Sequence, residues 1–227
     1  MTGLGWLALA SAAFVGTHFA MSHPLRAAII RALGERGFAG AYSLVAVGLL
    51  WAMTIYYGPA SAEAPQPVWD AGEVGLTVAT VLMWIGSILF VGSLRRNPAF
   101  PRPGRPVTKI DEARGVFAIT RHPMLWGFIL WALVHAIVNP TLASLTLSVA
   151  IAILALGGAV AQDAKKKKLI GEPWREWTSR TSFAPFGRGF ASPGTFASVG
   201  GTLVWLAATW AHGALGYRPA GIWVFFA

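Results

Sequence analysis

Apolar stretches of about 17–25 residues, the length a helix needs to cross a bilayer, recur six times along the chain. They cover residues 4–22, 38–58, 74–94, 118–138, 141–162 and 196–215, and their cores carry no Lys, Arg, Asp or Glu. In hydrocarbon every backbone polar group must be paired internally, so runs of this kind form helices. Strands of a membrane barrel alternate apolar and polar residues, and these runs do not. Of the 227 residues, 55% are apolar and 12% charged, whereas a soluble domain carries about 25% charged residues. The composition argues against a water-soluble fold and excludes disorder, which needs low hydrophobicity. The expected fold class is all-α: a polytopic membrane helix bundle of about six transmembrane helices.

Charge sets the orientation. Sixteen of the eighteen Lys and Arg residues fall between stretches one and two, three and four, or five and six, and Arg121 stands at the mouth of the fourth beside the third connection; only Arg218 lies elsewhere. The second connection instead carries Glu63, Asp70 and Glu73. Basic loops stay in the cytoplasm, so both termini are expected outside. Residues 1–3 lack the basic residues of a signal peptide, so the first stretch reads as a retained helix. A net charge of +9 would point to nucleic acid in a soluble chain. Here it points to anionic lipid, with the bilayer as partner and no nucleic acid. Four prolines in residues 97–106 predict an extended basic strap, and the lysines at 165–168 predict a lipid anchor. The chain has no cysteine, which removes disulfides, thiolate catalysis, iron–sulfur clusters, Cys-ligated zinc and covalently attached haem.

Polar side chains inside spans point to function. His18 and His135 each lie within an apolar run. Two readings apply to them: a hydrogen bond between helices, or axial ligation of haem iron, which neutral imidazole suits. His23 and His212 read as interfacial residues, His212 beside Trp210 in an aromatic belt. Arg121 and His122 stand at the mouth of the fourth stretch, before Pro123, where they can hold an anion or a polar head group. Residues 162–186 combine a charged helix extension, a glycine break and aromatics. They read as an amphipathic segment that closes over a pocket with Arg121 and His122.

Several motifs occur in order: His18 with Leu25-Arg26 and Leu33-Gly-Glu35; Ala41-Tyr-Ser43; Thr120-Arg-His-Pro123 through His135; and Asp163, Gly171, Trp174 and Thr181-Ser-Phe-Ala-Pro-Phe186. Together they resemble the NnrU family of bacterial integral membrane proteins over residues 1–190. Residues 191–227 then add one transmembrane helix and a short apolar tail to the same bundle. The resemblance implies an inner-membrane protein linked to denitrification, around nitrite and nitric oxide metabolism. Through the related 15-cis-zeta-carotene isomerase it also implies a haem b cofactor, with His18 and His135 as iron ligands. The partner would then be a lipid-soluble polyene to be isomerised, or a redox protein. The isomerase has a cysteine three residues before its second histidine; this chain has Ala132, so a Cys/His ligand change is ruled out here.

The Arg-His-Pro helix is also similar to isoprenylcysteine carboxyl and phospholipid methyltransferases, which bind S-adenosylmethionine. This chain departs from them at Leu125, where they have Tyr, and at Gln162-Asp163, where they have two glutamates. A third reading is a non-enzymatic membrane assembly factor. Depth along the helices leaves one ligand open. At 1.5 Å per residue, His18 and His122 both lie near the inner ends of their stretches, and His135 lies about 20 Å beyond His122. An upright haem would pair His18 with His122; a tilted one would pair His18 with His135.

Overall fold

The computed structural model describes residues 1–100 and 107–226. It is all-helical among the described residues: α1 Gly3–Ser22, α2 Arg26–Glu63, α3 Gly72–Ser93, α4 Val116–Ile119, α5 Pro123–Val138, α6 Leu142–Ile170, α7 Glu172–Arg180, α8 Thr195–Ala214, and a 3-10 turn at Ile222–Phe225. Among them, α1, α2, α3 and α6 are long and apolar enough to cross a membrane. α5 has 16 residues, about 24 Å of helix, short of a hydrocarbon core of about 30 Å. α8 has 20 residues, but Gly, Thr and Trp dilute its apolar character. The six expected spans are thus four full-length ones and two lesser helices. Leu44, Val47 and Trp51 on α2 are 76%, 66% and 66% exposed. Such a row of large apolar side chains is stable against lipid and not against water.

Two expectations about connections are corrected. Arg26, Arg31 and Arg36 do not occupy an irregular loop, because α2 already begins at Arg26 and bends at Gly34, whose φ of 70° and ψ of 173° break the helix. Glycine takes that positive φ without steric cost. The fourth stretch does not run unbroken from residue 118: one turn, α4, ends at Ile119, and α5 starts at Pro123. The residue before a proline, here His122, disfavours helix, and two positions earlier Thr120 is already extended, with φ −154° and ψ 149°. The lysines at 165–168 continue α6 as helix. The strap expected at 97–106 lies outside the described residues from 101 on. Its start is a turn in which the Ala99 N–H donates to Asn97 Oδ1 at 2.9 Å.

Contacts divide the chain into two units, Met1–Asp70 with Asn139–Leu154, and Ala71–Val138 with Ala155–Ala227. In the first, α1 and α2 form an antiparallel pair around Leu7, Ala10, Phe14, Met53 and Ala60, with Ala143 joining them. The α1 N-terminus is held by Glu63, whose carboxylate accepts from the Gly3 and Leu4 N–H groups, and by Thr2, which caps Gly5. A carboxylate there satisfies orphan donors and the positive end of the helix dipole.

In the second unit, α3 is central and packs against both α5 and α8. Small residues allow the approach, as expected where lipid supplies no hydrophobic drive between helices. A Cβ on Gly127 would lie 3.0 Å from the Gly86 carbonyl oxygen, and one on Gly201 would lie 2.5 Å from Ile88 Cα. Beyond the Ser93 end of α3, Leu89, Val116, Phe117, Ile119, Trp174 and Trp177 form a buried core. This core anchors the short helices α4 and α7.

Candidate functional site

The break between α4 and α5 is held open by residues 182–186. The Arg121 N–H donates to the Ser182 carbonyl at 2.8 Å, and the Phe186 N–H donates to the Ile119 carbonyl at 3.0 Å. Thr120 Oγ1 and Trp126 Nε1 both donate to the Phe183 carbonyl, at 2.6 and 2.8 Å. Backbone groups that a continuous helix would have paired internally are paired across the chain instead. The consequence is that Arg121 and His122 leave the helix axis and turn toward α6.

There they meet Asp163 and Gln162. Arg121 donates through Nε at 2.8 Å and lies 2.7 Å away through Nη2, both to Asp163 Oδ2. Its Nη1 reaches the Thr181 carbonyl at 3.4 Å, and its guanidinium lies 5.4 Å from the Phe183 ring centre. His122, 2% exposed, has Nδ1 at 3.2 Å from Gln162 Oε1 and Nε2 at 3.2 Å from Asp163 Oδ1. The second contact has ion-pair distance but not hydrogen-bond alignment, so these two buried atoms face each other without a proper partner. The expected juxtaposition of residues 162–186 with Arg121 and His122 is therefore present. It forms a closed ionic clasp, with the guanidinium occupied by Asp163 and both His122 nitrogens turned on protein groups.

The remaining histidines share one geometry. His18 Nδ1 donates to the Phe14 carbonyl at 2.6 Å, His135 Nδ1 to the Trp131 carbonyl at 2.8 Å, and His212 Nδ1 to the Ala208 carbonyl at 2.7 Å. A carbonyl only accepts, so each Nδ1 carries a proton, and in the neutral form of each ring the lone pair lies on Nε2. No Nε2 of the three meets a hydrogen-bond partner among the described residues. His18, in the first unit, packs against Phe14 and, edge-on at 5.2 Å, against Tyr42. His135, in the second, lies 3.9 Å from the Trp131 ring and 6.4 Å from that of His212.

A family model described as NnrU protein matches residues 6–219. The chain belongs to the NnrU family. The match takes in α8 and ends at residue 219, beyond the motifs read from the sequence. No curated protein and no solved structure matches the chain.

Two features of this NnrU protein were not anticipated from its residues. Asp163 stands in the sequence as a motif residue and as a departure from a glutamate pair, neither of which marks it as the centre of the clasp. A carboxylate closing an apolar helix just before four lysines is a signal that would have marked it. His212 was read as an isolated interfacial residue and proves to be the neighbour of His135. No local signal carries that, because the two are brought together only by their shared packing on α3.

Proposed function

We propose that this NnrU-family protein is an inner-membrane haem b protein that serves redox chemistry linked to nitrite and nitric oxide metabolism. The observation that supports the reading is the fixed tautomer of the membrane histidines. With Nδ1–H held by the carbonyl one turn earlier, Nε2 of His18 and of His135 is presented as a lone pair, the form that ligates iron. The Trp131 ring against His135 suits the apolar edge of a porphyrin. The donor set is all imidazole, in keeping with Ala132 where a cysteine would be needed for a thiolate ligand. His135 is one ligand. When bound, the haem supplies a redox-active iron in a low-dielectric site. The same iron is what isomerisation of a lipid-soluble polyene would require.

The clasp serves this reading as a positioning device. Arg121, His122 and Asp163 fix the start of α5, the helix that carries His135. Nothing specific favours methyl transfer: Gln162 and Asp163 stand where the two glutamates belong, and both are turned on His122 and Arg121.

The test is a visible spectrum. Protein produced with ample haem is expected to show a Soret band and a b-type pyridine haemochrome, and His135→Ala is expected to lose or shift the band. A colourless wild-type protein that binds no added hemin would overturn the proposal and favour an assembly factor.

A further inference from the structure

We propose that the imidazole facing His135 across the haem iron is that of His212. This rests on the haem reading and replaces His18 in it. α5 and α8 pack on the same helix, α3, and bring the two rings to a centre-to-centre distance of 6.4 Å with an angle of 64° between their planes. Two imidazoles on opposite sides of one metal, each with a metal–nitrogen bond of about 2 Å, have ring centres roughly 6 Å apart. Their planes are free to rotate about the metal axis, so the observed angle is compatible. Both rings hold Nδ1–H on their own helix and keep Nε2 for a ligand.

The pair suits a haem better than a bare ion. Among the described residues no group of three or more His, Cys, Asp or Glu can hold a metal. Two imidazoles leave a bare divalent ion underligated, whereas a porphyrin supplies the remaining nitrogens itself.

The end of α8 is also braced. Trp205 Nε1 donates to the Ala220 carbonyl at 3.1 Å. Trp223 Nε1 donates to the Leu206 carbonyl and Thr209 Oγ1, at 3.1 and 3.0 Å. Ala220 in turn packs with Ala79 and Val134. A ligand is best carried on such an element, because the coordination geometry is then set before the cofactor arrives.

The experiment uses the full chain in detergent, reconstituted with hemin. Wild type is expected to give a six-coordinate, low-spin spectrum. His212→Ala is expected to become high-spin, and free imidazole is expected to restore the low-spin bands, a rescue that a misfolded variant would not show. His212→Met is expected to stay six-coordinate with a shifted spectrum and a raised potential, as thioether ligation produces. His23→Ala is expected to match wild type. A low-spin spectrum that survives His212→Ala but is lost in His18→Ala would overturn the pairing while leaving the haem reading intact. Wild type without any Soret band would overturn both.

Discussion

Asp163 ends the apolar part of α6 and is where the clasp can be broken most cleanly. Its carboxylate lies between a guanidinium and an imidazole, with the Arg121 and Asp163 side chains only 14% and 13% exposed. Removing it leaves Arg121 partly buried without a counter-charge, and the loss of one partner of a buried pair costs far more than the pair's net worth. Asp163→Ala is expected to destabilise the protein by about 3 kcal/mol, the lower end of such losses, because the site is not wholly dry. Asp163→Asn keeps the shape and one acceptor oxygen and should cost less. Arg121→Lys gives up the fork that places two donors on one carboxylate oxygen and should lose about 1–2 kcal/mol. Unfolding midpoints in detergent check the order; an Asp163→Ala protein that melts like wild type would remove the clasp from the argument.

Among the elements, α8 carries a matched pair of glycines with opposite expectations. At Gly201 a methyl group would meet the Ile88 backbone, which yields only if α8 moves off α3. Overpacking of that kind costs about 1–3 kcal/mol, so Gly201→Ala is expected to lower the melting point. At Gly213 nothing lies within 4 Å, and alanine is the better helix former by about 1 kcal/mol, so Gly213→Ala is expected to be neutral or stabilising. If His212 serves as proposed, Gly201→Ala should also weaken the low-spin haem spectrum and Gly213→Ala should not. Equal effects of the two changes on stability would refute the close α3–α8 contact.

For the whole molecule the governing asymmetry is electrostatic. All but one of the eighteen basic residues lie between alternate apolar stretches or, as Arg121 does, at the mouth of one, and the second connection carries Glu63, Asp70 and Glu73. Under the positive-inside rule both ends of the chain are expected to face outward. Alkaline phosphatase fused after Ala227 is then expected to be active, and a fluorescent protein at the same point dark. The opposite result would require an odd number of crossings, which the short α5 makes the natural suspect, or an inverted orientation.

Apolarity and length are properties of a segment by itself, so the helices could be read directly. The stretch 74–94 is the helix Gly72–Ser93, and 196–215 is Thr195–Ala214. Pro123 likewise marked the first turn of α5. What the residues do not carry is the rotation of each helix about its axis. A helix apolar all round has no periodic stripe to say which face meets protein and which meets lipid. That choice was made by packing: by Gly86, Gly127 and Gly201, where α3 meets α5 and α8, and by the Phe183 and Ser182 carbonyls that draw Thr120 and Arg121 out of the helix. The motif Arg121-His122-Pro123 was visible in sequence, but its partner Asp163, 42 positions away, was fixed only by folding. The nearness of His135 to His212 arose in the same way, since each histidine's neighbours along the chain are apolar and say nothing of what lies across the interface.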